Sequence, residues 1–341
     1  MNPTAVEQLF PTYVDAPIKD ITSISNGVET SFKITTNANT YFMKFNTSGY
    51  FNSKGFICGV KLLPRLAEQG IPVAEAIGGS ISHPPFGDFY ITTYLDNCTV
   101  LTGYDRPIQS YQRYFKQLGK YTSLLHSIPT DSNTYGWAGW FNNSIRPFGG
   151  TEIYTDWIVK MIYDSLESIS EDHTFFEYKS YILEIVDEIE DVSITFGDPV
   201  ISNYDLKFEN CLINPRKENP HIEAIIDWDN PILAPPIHTL VKLERHYTTI
   251  GSVALEDPPE VTKAIDYIIE EYLSHTSFSY IEDEDVMTDI RTDVCRFEDC
   301  VGMIRHFENY YGNFSTKDRE WIKEYYVDRL EMLGERIRSY N

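Results

Sequence analysis

The chain has 341 residues, 42% of them apolar and 14% aromatic, enough to fill a large core in one large domain or two lobes; global disorder is excluded. It carries 51 acidic side chains against 28 basic ones, a formal charge of −23, and no Lys/Arg block, which excludes a basic nucleic-acid footprint. The same carboxylate excess fits a protein dissolved in high salt, where screening removes self-repulsion and hydrated carboxylates maintain solubility.

The first ten residues, MNPTAVEQLF, have neither a basic stretch nor an apolar one, and no run approaches the roughly 18–20 apolar residues that cross a bilayer. A cytoplasmic protein without membrane association is expected. Cys58, Cys98, Cys211, Cys295 and Cys300 are scattered, with no C-x-x-C pair, so they are expected to be small buried hydrophobes rather than a disulfide framework or a zinc site.

From about residue 18 to 95 the runs ITSIS, SFKITT, TYFMKF and DFYITTYL read as strands, the second and third separated by the turn-like Asn37-Ala38-Asn39. Between the third and fourth, VKLLPRLAEQG places Val60, Leu62, Leu63 and Leu66 near helical spacing, with Gly70 as a stop before Ile71-Pro72. A small antiparallel sheet with one helix is the expected arrangement. Beyond residue 100 the texture becomes helical, in QSYQRYFKQLGKYTSLLHSI, TEIYTDWIVKMIYDSLESI, FFEYKSYILEIVDEIE, PPEVTKAIDYIIEEYLS and two stretches between about 283 and 340. Segment 129–150 reads as a loop, either ordered over a cleft or a surface connection. Within 199–235, CLIN and IEAIID joined by NPRKENP predict a β-hairpin.

The chemistry is concentrated in and around that hairpin, where PVISNYDLKFENCLINP leads to IEAIIDWDN. An Asp, an Asn five residues later and an Asp at the end of a short strand are the parts that phosphoryl transfer needs. One carboxylate orients a hydroxyl and takes its proton, while an amide oxygen and another carboxylate hold magnesium against nucleotide phosphates. The D-x-x-x-x-N spacing occurs at Asp198/Asn203 and at Asp205/Asn210. Asn210 runs directly into the apolar CLI strand, whereas Asn203 runs into Tyr-Asp, so the second register is preferred. The separate structural roles open to these residues are a turn cap for Asp227 and a helix cap for Asp205.

Residues Asn203-Tyr204-Asp205-Leu206-Lys207-Phe208-Glu209-Asn210 resemble the catalytic loop of the aminoglycoside phosphotransferase and choline-kinase-like family, relatives of the protein kinases, and Ile226-Asp227-Trp228-Asp229 resembles its magnesium-binding segment. Ile24 to Phe32 sits where that family has its nucleotide-covering hairpin, Tyr41-Phe42-Met43-Lys44 is similar to its lysine-bearing strand, Gly70-Ile71-Pro72-Val73 to the turn after its helix, and Leu124-Leu125-His126 to a helix end. The likeness covers roughly residues 20–240.

The resemblance implies an α+β, two-lobed protein-kinase-like fold, with a nucleotide-binding lobe over 1–95 and a mainly helical catalytic and substrate lobe over 96–341. ATP or GTP and Mg2+ would be the cofactors. Lys44 would meet the α- and β-phosphates, with Ser25, Asn26, Gly27 and Thr30 of the hairpin around the nucleotide. Backbone groups near Tyr94 and Leu95, in the hinge Thr93-Tyr94-Leu95-Asp96, would read the base. Asp205 would be the catalytic base, and Lys207 would offset charge on the transferred phosphoryl. Asn210 and Asp227 would ligate magnesium, with Asp229 adding a second carboxylate.

Four positions depart from the family pattern. Asn203 stands where a histidine usually opens the catalytic motif, and its amide can still brace the loop, while Tyr204 stands where a small residue or an arginine is common. The lobe's helix lacks the glutamate expected to pair with the lysine: no acidic residue lies anywhere from 48 to 67, leaving Glu68, Glu75 or Asp88 as substitutes. His238 stands where an aspartate often braces the catalytic loop.

The leading expectation is transfer of the γ-phosphoryl group to a hydroxyl of a small molecule, aminoglycoside-, choline- or sugar-like. The alternative is a nucleotide- or metabolite-binding protein with little or no catalysis, motivated by the missing helix glutamate and Asn203. No D-F-G or A-P-E segment follows Asp227, which argues against a protein kinase. His126 and His246 read as packing residues, the acidic runs as solvated faces, and neither an H-x-x-x-H pair nor a G-x-S-x-G elbow is present.

Overall fold

The computed structural model describes residues 2–24, 29–47, 52–101, 108–192, 194–203, 205–229, 231–246, 263–279 and 281–340. Helix α1 (Pro3–Leu9) precedes strands β1 (Ile18–Ile24), β2 (Thr30–Thr36) and β3 (Thr40–Phe45), helix α2 (Ser53–Glu68), and strands β4 (Ala76–His83) and β5 (Gly87–Thr93). The five strands form one antiparallel sheet in the order β1-β2-β3-β5-β4.

Period-two alternation sorts the two faces of that sheet. Along β3, Tyr41, Met43 and Phe45 are buried while Thr40, Phe42 and Lys44 point to the other side. The buried set joins Phe32, Ile34, Phe89 and Ile91 beneath Val6, Leu9 and Phe10. A single helix was expected in this lobe, but α1 is a second one. Its N-terminus is capped by the Asn2 side chain with proline in the first turn, and seven residues are too few to show periodicity.

Helix α2 covers the opposite face of the sheet. Asn52 caps its start, and Phe56, Ile57, Cys58, Val60, Leu62, Leu63 and Leu66 are all buried, because the helix is packed on more than one side. Its second neighbour is strand β7 (Tyr135–Phe141), which with β8 (Ser144–Thr151) forms a hairpin where a loop was expected. Asn142 and Asn143 form the two-residue turn, both at positive φ (48° and 65°), the geometry of a type I′ turn. Lys54 and Arg65 of α2 lie over the rings of Phe141 (4.3 Å) and Trp140 (5.4 Å) on this hairpin.

The larger lobe is mainly helical: α3 (Ile108–His126), α4 (Tyr154–Glu167), α5 (Lys179–Asp191), α6 (Pro236–Arg245), α7 (Ala264–Leu273), α8 (Ile290–Arg305), α9 (Phe307–Tyr311) and α10 (Thr316–Arg338). Between α5 and α6 run β9 (Val200–Asn203), β10 (Cys211–Ile213), β11 (Ile222–Ile225) and β12 (Pro231–Ala234). Strands β10 and β11 form the expected antiparallel hairpin, joined on its edge by β6 (Thr99–Val100). Strand β12 lies between β7 and β9, giving the order β8-β7-β12-β9. Cys58, Cys211, Cys295 and Cys300 are buried free thiols and Cys98 is half-buried, as their scattered spacing implied. Among the described residues, no helix is long and apolar enough to cross a membrane.

Candidate active site

Lys44 reaches the crevice because β3 directs it away from the core and because β5 pairs beside it, with Tyr90 directly across. Two connections of the larger lobe converge on the same place. The first joins β9 to β10 and carries Asp205, Lys207 and Asn210; the second joins β11 to β12 and carries Asp227 and Asp229. Pairing of Asn203 with Pro231 and of Cys211 with Ile225 sets the two connections side by side, and the Ile226 N–H donates to the Asn210 carbonyl at 2.8 Å.

The Lys44 Nζ donates to Asp227 Oδ1 at 3.0 Å and also pairs with Asp229 Oδ2, although these residues lie more than 180 positions apart in the chain. Asp229 Oδ1 accepts from the Tyr90 hydroxyl at 2.9 Å. Asp205 Oδ2 accepts from Lys207 Nζ at 2.9 Å and from Asn210 Nδ2 at 3.1 Å, and Asn210 Nδ2 also reaches the Asp205 carbonyl at 2.8 Å. The preferred register is thus the one that closes on itself, while Asp198 is exposed and Asn203 lies in β9. Asp227 holds φ at +61°, a left-handed conformation uncommon for a non-glycine residue and concentrated at functional sites.

Burial acts to lower the Lys44 pKa, but the charges of Asp229 and Asp227 outweigh it and the ammonium is held well above its usual value. Burial lifts the Asp229 carboxyl to about 6 against the pull of Lys44, with repulsion from Asp227 adding to the rise. The Tyr90 hydroxyl is pushed up by burial and by both aspartates, so it stays a donor. Asp227 and Asp205 differ from Asp229 in access: their side chains are 39% exposed, that of Asp229 only 3%.

The loop's departures from the family pattern are answered locally. The Asn203 side-chain oxygen accepts from the Asp205 N–H at 2.8 Å, so the amide does brace the loop. His238 is buried against Tyr154 and Trp157, with its Nε2 3.5 Å from Glu298 Oε2. Its neighbour Thr239 donates to Ser202 at 2.7 Å and meets His126 at 3.2 Å, which anchors the strand that enters the loop. None of Glu68, Glu75 and Asp88 pairs with Lys44. Asp88 instead accepts from Asn46 and from the Ser82 N–H.

Thr30 lies at the mouth of the β2–β3 hairpin, where its N–H and hydroxyl meet the Thr47 hydroxyl at 3.3 and 3.1 Å. Ser25, Asn26 and Gly27 lie outside the described residues. At the hinge, the Tyr94 N–H is already used by the Thr40 carbonyl at 3.0 Å, and Lys33 Nζ sits 4.3 Å from the Tyr94 ring while pairing with Asp96 at 2.9 Å. Leu95, half-buried, follows directly.

His246 was read as packing, yet its Nε2 lies 3.8 Å from Asp205 Oδ1. Burial, then the cations Arg245, Lys207 and Lys242, keep it well below its usual pKa, hence neutral. No spacing in the sequence signals this contact, because α6 closes back on the loop only through the packing of the lobe.

Asn210 and Asp227 fit a magnesium ion. Asn210 donates through its nitrogen, which leaves its amide oxygen without a partner among the described residues, and Asp227 is the exposed carboxylate beside it. Hard oxygen donors with space for several waters are what magnesium requires. Among the described residues no group of three or more His, Cys, Asp or Glu side chains is assembled for a metal.

A family model described as the phosphotransferase enzyme family matches residues 20–258. A comparison with curated proteins finds no match. Among solved structures, a thermostable mutant of aminoglycoside phosphotransferase APH(4)-Ia in ternary complex with AMP-PNP and hygromycin B is 14% identical, with 98% of this chain and 97% of that one covered at a TM-score of 0.63. Spectinomycin phosphotransferase APH(9)-Ia, in complex with ADP and spectinomycin, is 15% identical over 98% and 97% of the two chains, TM-score 0.57. A fructosamine-3-kinase-like protein from Haemophilus somnus is 15% identical over 97% and 96%, TM-score 0.52. At such identities the likeness is one of fold, the two-lobed protein-kinase-like fold.

Proposed function

Because the chain belongs to the phosphotransferase enzyme family, we propose that it transfers the γ-phosphoryl group of ATP or GTP to a hydroxyl of a small molecule. The observation that carries this reading is the pair of side-chain contacts on adjoining loops, Lys44 on Asp227 at 3.0 Å and Asp205 held by Asn210 at 3.1 Å, with the loops joined by the Ile226–Asn210 backbone bond. AMP-PNP or ADP in two of the similar structures supports a nucleotide, and hygromycin B and spectinomycin support a small hydroxylated acceptor. We place the lobe boundary near residue 95, just after β5 ends at Thr93.

Asp205 Oδ1 has no hydrogen-bond partner among the described residues, so this oxygen takes the acceptor's hydroxyl proton while Oδ2 is held by Lys207 and Asn210. Lys207, half-buried beside it, offsets charge on the transferred group, and Lys44 positions the nucleotide phosphates. Magnesium, when bound by Asn210 and Asp227, supplies neutralisation of phosphate charge. Asp229, expected with them, is already engaged on both oxygens. Thr30 lies beside the nucleotide and the hinge at Tyr94 and Leu95 meets its base, with the occupied Tyr94 N–H leaving this reading to neighbouring groups. The site requires neither nucleic acid nor membrane, and a cytoplasmic setting suits its substrates.

Titration calorimetry of nucleotide with and without magnesium, beside an ADP-release assay over candidate hydroxyl acceptors, tests the proposal. Magnesium-dependent binding with acceptor-stimulated ADP release is expected. Binding without turnover on any acceptor would favour the second reading, a nucleotide-binding protein without catalysis, which the lack of an acidic residue on α2 before Glu68 supports. Absence of nucleotide binding would refute both.

A further inference from the structure

In the family pattern the lysine of the small lobe is held by a glutamate from the lobe's helix, and α2 has no acidic residue before its last, Glu68, which does not pair with Lys44. The helix could not accommodate one at the contact point either. A Cβ added at Gly59 would lie 2.1 Å from the Trp228 carbonyl oxygen and 3.1 Å from the Asp229 nitrogen, so α2 rests directly on the peptide that precedes Asp229. From the far side of that contact, Asp229 turns its carboxylate to the lysine.

Both of its oxygens are committed. Oδ2 pairs with Lys44 and Oδ1 accepts from Tyr90 at 2.9 Å, and Tyr90 and Lys44 are direct cross-strand partners on β5 and β3. Phe56 of α2 packs on the Tyr90 ring at 5.0 Å, which connects the helix to this arrangement a second time. Asp227, by contrast, gives one oxygen to Lys44 and lies open to solvent, as a metal-binding carboxylate needs to be.

We propose that Asp229 is the positioning residue for Lys44, taking over from within the metal-binding segment the place of the missing helix glutamate, and that Asp227 and Asn210 alone supply the protein's metal ligands. The assignment rests on the phosphotransferase reading of the site. It makes the small-lobe helix a steric support for the lysine's partner rather than the source of that partner, and it links the lysine's anchor to the metal loop through two residues of chain.

A double-mutant cycle on the full-length protein distinguishes anchor from ligand, with magnesium-ATP affinity measured by calorimetry. If Asp229 acts through Lys44, Asp229→Asn weakens binding about tenfold and Lys44→Met does likewise. The double variant then binds no more weakly than Lys44→Met alone. Asp227→Asn, which removes a metal ligand as well as a contact to Lys44, still costs further affinity in the Lys44→Met background. Multiplicative losses for Asp229→Asn and Lys44→Met, or no loss on Asp229→Asn, would overturn the assignment. Tyr90→Phe removes one anchor bond without altering charge and carries the same cycle should Asp229→Asn fail to fold: a loss of a few-fold that vanishes in the Lys44→Met background is expected, and one that persists there counts against the proposal. A wild type that binds no nucleotide would instead bring down the phosphotransferase reading, and this assignment with it.

Discussion

Two charge networks can be set side by side in this molecule. Around Lys44 and Asp205 the groups face a crevice, and the side chains of Asp205 and Asp227 are each 39% exposed. Between α6 and α8 the charges are sealed. Lys242 Nζ meets Glu298 at 2.9 Å and Asp299 at 2.7 Å, Arg245 meets Asp299 at 3.2 Å, and the Lys242, Glu298 and Asp299 side chains are at most 7% exposed. Arg296 pairs with Glu244 at 2.6 Å and with Asp293 at 3.1 Å. The sealed network pairs its charges with one another away from water. Among the described residues the open one leaves Asp205 Oδ1 and the Asn210 amide oxygen without a hydrogen bond.

If that contrast is sound, mutations in the open network cost activity and those in the sealed one cost stability. The largest effect is expected for Asp205→Asn, a loss of about 10²–10⁴-fold in turnover with nucleotide affinity little changed, read by ADP release and calorimetry. Lys242→Met takes the shared ammonium from two buried carboxylates and is expected to destabilise the fold by about 3–5 kcal/mol in urea unfolding. A loss below about 1 kcal/mol there would break the comparison, since such a value belongs to exposed pairs.

Acid titration sharpens it further. Burial alone would raise the Glu298 carboxyl, but Lys242 and His238 outweigh that and hold it at about 2, below its ordinary 4.5. A carboxyl depressed by folding contributes stability above its unfolded value and loses it as pH falls toward the folded one. Wild type should therefore lose stability as pH falls from about 4.5 to about 2. Glu298→Gln should lack that part of the acid loss, as measured by thermal unfolding across this range.

A smaller effect, about 1–3 kcal/mol, is expected for Gly59→Ala, whose Cβ meets backbone at 2.1 Å and must push α2 from the Trp228-Asp229 peptide. Because that peptide carries the lysine's partner, nucleotide affinity should fall along with the melting temperature; an unchanged affinity would separate the helix from the site. Least affected should be Asp164→Ala, which removes an exposed i,i+4 pair with Lys160 and should alter stability by less than about 0.5 kcal/mol.

Much of the open network was legible from spacing. Asp205, Asn210 and Asp227 are ordered along one short stretch, so local patterning and the adjoining CLI strand singled out the pair Asp205/Asn210, whose side chains are hydrogen-bonded in the structure. The hairpin β7–β8 was missed, although Asn142-Asn143 between WAGWF and SIRPF is a two-residue turn signal; the glycines and uncharged texture masked it. Strand β4 was missed because AIGGSISH lacks alternating bulky residues and is held by its pairing to β5. The family pattern points to α2, or to Glu68, Glu75 or Asp88, for the partner of Lys44, whereas Lys44 pairs with Asp227 and Asp229.

Alternating and helical hydrophobic patterns, which depend only on neighbouring residues, determined β1, β2, β3 and β5 of the small lobe and most helices of the large one, and local spacing set Asp205, Asn210 and Asp227 in order. Tertiary structure decided which carboxylate holds the lysine, which stays open, and that His246 returns to Asp205. Those outcomes follow from how closely α2 can approach the Trp228 peptide and from which groups the packed core shields from water, and neither quantity exists until distant segments are in contact.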